Sequence, residues 1–182
     1  MFKYLWYETE LPDSICDEIS NKLASHEGSL EQAKVTGGKA SHTRNSMNLW
    51  IQESHWISAF CNYYVNLANN ENFKYDIHPG YENHVIQYSL YKPGCFYDWH
   101  SDYYFTEDDS CRKLSFSLQL SNYNEYKGGD LQLIDEEGRM YLAPKKKGTI
   151  IVFDSRLRHR VRKITSGERR SVVGWVMGPR WR

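Results

Sequence analysis

Two segments in the first 80 residues show the periodicity of amphipathic helices. The first begins at a Pro-Asp-Ser sequence, repeats apolar residues every four positions and ends near Gly28. The second spans Ser54–Asn69, where Trp, Phe, Tyr and Leu side chains fall on one stripe. Between them, residues 37–48 are polar and predict a loop or an irregular strand. We therefore expect residues 1–80 to form a helical and irregular support region.

After Gly80 the pattern changes to short apolar runs separated by turn residues. Several short strands separated by turn residues in this way are typical of an antiparallel sandwich or barrel. Because we find no repeat, linker or low-complexity tract, we expect one domain over residues 1–182, with a mainly β core in residues 81–182. The predicted strands are Val85–Tyr91, Leu114–Leu120, Leu131–Ile134, Thr149–Phe153, His159–Ile164 and Val172–Met177.

The composition indicates a packed core, and the charges form opposed blocks. Hydrophobic residues make up 40% and aromatic residues 15% of the chain, which argues against disorder. The 23 basic and 23 acidic residues cancel in total. However, residues 138–182 hold 13 basic and 2 acidic side chains, and residues 98–137 hold 3 basic and 10 acidic ones. We expect most of the basic block to lie on an outer sheet face, paired with these acids.

Membrane insertion and export are not indicated. No apolar run approaches the roughly 20 residues that a transmembrane helix needs. Charged residues interrupt the first ten positions, so no signal-peptide core is present. The four cysteines have no CxxC spacing and are expected to be reduced thiols. A cytoplasmic location is the expectation, and the oligomeric state is left open.

Three residues in the β region form a candidate metal site: His100, Asp102 and His159. On an extended strand, His100 and Asp102 would leave the same face, and His159 would come from another strand. Two histidines and one carboxylate are the facial triad of non-haem Fe(II) oxygenases. A zinc hydrolase, or a cupin-like metal-binding module without redox turnover, would use the same ligands. Arg169 favours the oxygenase, because a guanidinium binds the carboxylate of a dicarboxylate co-substrate with two hydrogen bonds.

Residues 84–178 resemble the Fe(II)/2-oxoglutarate-dependent dioxygenases of the prolyl 4-hydroxylase type, including the bacterial PKHD-type hydroxylases. The matching stretches occur in order and at family-like spacing, and together they are highly specific. They are Tyr91–Asp102, Leu114–Ser121, Gly128–Leu131, Gly148–Phe153, His159–Val161, Gly167–Arg169 and Trp175.

The resemblance implies a fold and a set of site residues. The fold is a double-stranded β-helix, or jelly roll, with supporting N-terminal helices. His100, Asp102 and His159 are implied to bind Fe(II), and Arg169 to pair with the distal carboxylate of 2-oxoglutarate. Tyr91 is implied to line the co-substrate pocket. Gln119 departs from the family, in which an aromatic or hydroxyl residue often contacts the co-substrate, so this contact is expected to be altered or supplied elsewhere.

The resemblance also implies an activity, which is O₂-dependent hydroxylation of a C–H bond with conversion of 2-oxoglutarate to succinate. The resemblance is also compatible with ascorbate as an auxiliary reductant. Peptidyl proline is the first expected substrate, and a free amino acid or other small molecule is the alternative. A nucleic-acid oxygenase is less favoured, because such enzymes carry a further arginine at a spacing that Arg169 and Arg182 do not reproduce. The aromatic residues between 96 and 105 are candidates for one wall of the substrate cleft.

Overall fold

The computed structural model describes residues 3–26, 29–32 and 43–181. In this part of the chain the helices are α1 (Asp13–Ala24) and α2 (Trp56–Ala68), and a π-helical turn extends α2 over Asn69–Phe73. A short 3-10 turn covers Glu82–His84. The strands are β1 (Tyr4–Glu8), β2 (Glu31–Gln32), β3 (Arg44–Asn45), β4 (Met47–Gln52), β5 (Val85–Tyr91), β6 (Phe96–His100), β7 (Ser110–Gln119), β8 (Tyr126–Gly128), β9 (Leu131–Ile134), β10 (Met140–Leu142), β11 (Thr149–Asp154), β12 (Arg158–Val161), β13 (Ile164–Gly167) and β14 (Arg169–Pro179).

The described strands form two main antiparallel sheets and a small third one. The major sheet has the order β1-β11-β7-β14-β5-β4-β2, and the minor sheet has the order β10-β9-β12-β6-β3. Strands β8 and β13 pair separately. Buried side chains of β9 in the minor sheet share a cluster with those of β11 in the major sheet, so the two sheets face each other. This arrangement is the mainly β jelly roll implied by the resemblance.

Strand β5 shows how the pleat of the major sheet separates two environments. Ile86, Tyr88 and Leu90 belong to the apolar cluster that also contains the buried faces of α1 and α2. The alternate residues Gln87 and Ser89 face the space between the sheets, because successive side chains of a strand point to opposite faces. The helices therefore cover one face of the major sheet and leave the other face free to form a cavity.

The helices and strands agree with the sequence pattern with a few differences. Helix α1 ends at Ala24, before Gly28, which lies outside the described residues, as do positions 37–42 of the expected loop. The predicted strand His159–Ile164 is two strands, β12 and β13, which join different sheets. The expectation that residues 1–80 are only helical and irregular is wrong. Their strands β1, β2 and β4 extend the major sheet and β3 extends the minor sheet.

These four strands gave weak sequence signals for physical reasons. Strands β2 and β3 have two residues each, which is too short for any periodicity to show. Strand β1 lies at one edge of the major sheet, so its alternation of buried and exposed positions is incomplete. Strand β4 is held by its six-residue register with β5, which is a long-range contact that the local sequence does not encode.

Much of the basic block is neutralised by the protein's own acids. Asp154 pairs with Arg156 at 2.5 Å, and Asp130 lies 3.7 Å from Arg162. Only Asp130 of these two acids lies in residues 98–137; Asp154 belongs to the basic block itself, and Lys147 contacts Asp17 of α1. The four cysteines are buried and unpaired. Among the described residues, no helix is both long and apolar enough to cross a membrane.

Candidate active site

His100, Asp102 and His159 converge between the two sheets. His159 of β12 lies directly opposite His100 of β6 in the antiparallel ladder. Strand β6 ends at His100, so Asp102 does not continue the same strand as the spacing argument assumed. Instead, the amide of Asp102 donates to the carbonyl oxygen of Ser155 at 3.0 Å, which holds the carboxylate beside both imidazoles. One potential ligand atom from each of the three residues lies within 4.8 Å of the others.

Backbone carbonyls orient the two imidazoles. His100 Nδ1 lies 2.7 Å from the carbonyl oxygen of Asp98. His159 Nδ1 lies 3.0 Å from the carbonyl oxygen of Leu157. Because a carbonyl oxygen only accepts, each Nδ1 carries the proton and each Nε2 keeps its lone pair. The Nε2 atoms lie 3.6 Å and 3.5 Å from the Asp102 carboxylate oxygens. Such backbone contacts are the usual support of metal-ligating histidines, so this donor set fits a divalent metal.

The local electrostatics favour the protonation states of metal ligands. Burial, together with the neighbouring His159, lowers the pKa of His100 to about 3, so its imidazole is neutral. Burial alone would raise the pKa of Asp102, but His159, His100 and Arg112 lower it, with a hydrogen bond from the Trp175 side chain. A neutral imidazole and an ionised carboxylate are the forms that bind metals.

A cavity of about 390 Å³ lies between the sheets and contains the three residues. Its walls combine an apolar part near the histidines with polar groups from the inner face of the major sheet. The residues lining it include Gln32, Arg44, Asn48, Trp50, Gln87, Ser89, Tyr91, Tyr97, Arg112, Ser117, Leu131, Phe153, Val161, Arg169, Ser171, Val173 and Trp175. This volume suits a small ligand.

Arg169 is buried in the wall of this cavity with only 2% of its surface exposed. Its Nη2 donates to Gln119 Oε1 at 2.9 Å, and its Nη1 donates to Ser171 Oγ at 3.2 Å. The guanidinium carbon lies 5.6 Å from the ring centre of Tyr91. Among the described residues, no carboxylate forms an ion pair with Arg169. Since neutral acceptors do not cancel its charge, the surroundings of Arg169 fit an anionic ligand.

The residues expected near the co-substrate, Tyr91, Gln119 and Arg169, lie beside one another, and Gln119 contacts Arg169. Tyr91 and Arg169 lie opposite each other in the β5–β14 ladder and both line the cavity. Gln119 contacts the guanidinium directly, and its Nε2 donates to Ser117 Oγ at 3.1 Å. Of the aromatic residues between 96 and 105, Tyr97 lines the cavity, whereas Trp99 packs against Arg160 on the other face of β6.

Sequence reasoning missed an ion pair beside the candidate metal site. Arg112 Nε donates to Glu82 Oε2 at 2.8 Å, and Nη2 lies 2.5 Å from the same oxygen. Arg112 Nη1 also lies 3.4 Å from the backbone oxygen of Asp102. The guanidinium carbon lies 4.0 Å from the centre of the Trp175 ring system. Trp175 belonged to the matching stretches, but Glu82 and Arg112 lie 30 positions apart and share no local signal.

Two histidines and a carboxylate between the sheets of a jelly roll are the donor set that non-haem Fe(II) oxygenases use. The family model of the 2OG-Fe(II) oxygenase superfamily matches residues 86–177, which is half of the chain. The chain therefore belongs to this superfamily. Membership implies Fe(II) and 2-oxoglutarate as the metal and the co-substrate, in agreement with the chemistry of the donor set.

Curated relatives are PKHD-type hydroxylases. The protein from Parvibaculum lavamentivorans is 40% identical over 91 residues, which cover 50% of this chain and 41% of that protein. The protein from Crocosphaera subtropica is 34% identical over 117 residues, which cover 60% of this chain and 50% of that protein. The chain thus spans half or less of the length of these relatives.

Solved structures share the fold. A Pseudomonas putida prolyl-4-hydroxylase is similar with a TM-score of 0.73 and 23% identity, covering 99% of this chain and 94% of that one. A Trichoplax adhaerens prolyl hydroxylase, solved with a peptide fragment of the hypoxia inducible factor oxygen degradation domain, has a TM-score of 0.79 and 17% identity. That match covers 97% of this chain and 84% of the other. At these identities the likeness shows the double-stranded β-helix alone.

Proposed function

We propose that this protein is a 2-oxoglutarate-dependent hydroxylase in which His100, Asp102 and His159 hold Fe(II) and Arg169 holds the co-substrate. One observation carries the proposal: the ligand cluster lines the same cavity as a buried guanidinium that has no carboxylate partner among the described residues. Neither a zinc hydrolase nor a passive metal module needs this second feature.

When bound, Fe(II) and 2-oxoglutarate supply the O₂-dependent oxidation of a C–H bond, which yields the alcohol, succinate and CO₂. The protein supplies position and shielding. Backbone carbonyls hold both imidazoles with Nε2 towards the metal, and Ser155 holds the Asp102 backbone. Leu131, Phe153 and Val161 line the cavity with apolar surface, which excludes water from the reacting atoms.

Arg169 is the proposed anchor of the distal carboxylate of 2-oxoglutarate. Gln119 and Ser171 fix its guanidinium, so little conformational entropy is lost when the anion binds. In this proposal Gln119 positions the arginine, where relatives often use a residue that contacts the co-substrate itself. Tyr91 lies against the same guanidinium and closes that side of the pocket.

The proposed substrate carries a prolyl group. The names of the relatives and structural neighbours support this class, since they are PKHD-type and prolyl hydroxylases. A peptide is the first expected form of this substrate, and O₂ is the oxidant. Ascorbate is proposed as an auxiliary reductant only.

Anaerobic titration of the protein with Fe(II) and 2-oxoglutarate tests the proposal. We expect a weak metal-to-ligand absorption band in the wild-type protein. Arg169→Gln should weaken 2-oxoglutarate binding about 100-fold, because charge-assisted hydrogen bonds contribute about 1.5–3 kcal/mol each. Fe(II) affinity should be unchanged, because the ligands stay in place.

Arg162→Gln is the matched control, since it removes the same group from an exposed position outside the cavity. This control should bind 2-oxoglutarate as the wild type does. The absence of the band, or equal 2-oxoglutarate binding by Arg169→Gln, would contradict the proposal. Succinate release, screened against prolyl peptides, free amino acids and oligonucleotides, then identifies the substrate class.

A further inference from the structure

Three of the described arginines line the cavity, and they differ in how their charge is balanced. Arg112 is neutralised by the Glu82 carboxylate at 2.5 Å. Arg169 contacts only uncharged acceptors and is assigned to the co-substrate. Arg44 resembles Arg169 in this respect. Among the described residues, no carboxylate forms an ion pair with Arg44.

Uncharged groups hold Arg44 in place. Its Nε donates to Ser46 Oγ at 3.2 Å. With the Asn48 amide in the orientation that satisfies its neighbours, the amide oxygen accepts from Arg44 Nη2 at 2.9 Å. Ser46 and Asn48 are both buried. The guanidinium is therefore held in a fixed orientation while its positive charge stays available for an anion.

Arg44 lies close to the candidate metal site. It faces Tyr97 in the β3–β6 ladder, and its guanidinium carbon lies 4.6 Å from the centre of the Tyr97 ring. The same ring stacks on the His100 imidazole with a centroid distance of 3.4 Å. One aromatic ring thus separates Arg44 from a proposed metal ligand. An anion bound to Arg44 would belong to a molecule that reaches the reacting centre.

In the proposed function, the charge of the co-substrate is balanced without Arg44. Fe(II), the Asp102 carboxylate, dianionic 2-oxoglutarate and Arg169 sum to zero, and Arg112 with Glu82 also sums to zero. Of the three described arginines that line the cavity, Arg44 is then left without an ion-pair partner among the described residues. Glu31 also lines the cavity, but it is exposed and forms no ion pair with Arg44.

We propose that Arg44 is a specificity-determining residue that binds a carboxylate of the substrate. A planar guanidinium matches a carboxylate through two parallel hydrogen bonds. The proposal rests on the proposed function and deepens it. The substrate is then a free amino acid or a short peptide whose carboxylate lies near the reacting C–H bond, rather than an internal residue of a long chain.

Matched pairs of acids and amides test this assignment without turnover. The protein is loaded anaerobically with Fe(II) and saturating 2-oxoglutarate, so that the metal and co-substrate sites are filled. Calorimetry then measures the dissociation constants of a panel of free amino acids, their N-acetyl derivatives and prolyl dipeptides, each beside its C-terminal amide. We expect at least one acid, with proline first among them, to bind about tenfold or more tightly than its amide, as expected for one charge-assisted contact.

Two substitutions of Arg44 separate its charge from its shape. Arg44→Gln should abolish the preference for the acid, and Arg44→Lys should retain part of it. The control Arg162→Gln should keep the full preference. Formation of the Fe(II)–2-oxoglutarate absorption band by Arg44→Gln confirms that this variant is folded and loaded.

The outcomes distinguish this inference from the proposed function. If the wild-type protein forms no absorption band, the proposed function fails. If the band forms but no acid in the panel binds more tightly than its amide, the role of Arg44 is refuted and the proposed function stands. The same conclusion follows if Arg44→Gln keeps the preference of the wild type.

Discussion

The ion pair between Glu82 and Arg112 provides the sharpest test of the electrostatics around the site. The two side chains are only 8% and 16% exposed, respectively. Glu82→Gln keeps the shape of the side chain and removes its charge. Arg112 is then left as a largely buried cation beside the backbone of Asp102. Such a cation is costly, because it has lost most of its hydration and keeps, among the described residues, no carboxylate at ion-pair distance, although the Asp102 carboxylate still acts on it.

The expected loss of stability follows from this geometry. Removing one partner of a fully buried ion pair costs about 3–5 kcal/mol. The glutamine oxygen still accepts one hydrogen bond from Arg112, and Arg112 is partly solvated, so the cost should be smaller. We expect the free energy of unfolding to fall by about 2–3 kcal/mol, which for a chain of this length lowers Tm by about 5–10 °C.

Urea denaturation of the metal-free protein measures this difference. The control Glu136→Gln removes the same charge at a position that is 86% exposed and 3.7 Å from Lys3. It should change the unfolding free energy by less than about 0.5 kcal/mol. Adding Arg112→Met to Glu82→Gln should restore part of the lost stability, because the unpaired cation is removed. The reasoning is refuted if Glu82→Gln behaves like the control, or if the two substitutions are additive.

Two further predictions concern stability elsewhere in the fold. Hydrogen bonds from Arg156 and Tyr75 lower the pKa of Asp154 although burial acts to raise it. Asp154→Asn should therefore lose stability above about pH 4, the unfolded pKa. The difference from wild type in pH-dependent urea titrations should shrink as the pH falls below that value, and a difference that grows there would contradict the sign. Gly167 has a φ of +70°, and a Cβ there would lie 2.0 Å from a backbone carbonyl oxygen. Gly167→Ala should cost more than about 2 kcal/mol by thermal denaturation, whereas Gly138→Ala, with a φ of +79° and open space, should cost about 1 kcal/mol; equal costs would refute the steric argument.

Local sequence patterns predicted the elements whose stability is encoded in neighbouring residues. The bounds of β5 and β9 agree with the predicted strands, because apolar runs between turn residues are short-range signals. Strands β1 and β4 were missed, because partners distant in the chain hold them in the sheet. The spacing argument also did not predict that β6 ends at His100. The amide of Asp102 instead donates to the carbonyl oxygen of Ser155, more than 50 positions away.

The candidate site likewise has features that the sequence predicts and features that only the structure shows. The sequence by itself determined which residues can serve as metal ligands and which arginine follows them, because these are matters of residue type and spacing. Only the tertiary structure decided the charge balance of the cavity. The sequence does not show which of Arg44, Arg112 and Arg169 has a charged partner. In the structure, Glu82 neutralises Arg112, whereas uncharged groups hold Arg44 and Arg169. Charge compensation depends on distances of a few ångströms between side chains, and folding sets these distances between residues far apart in the chain.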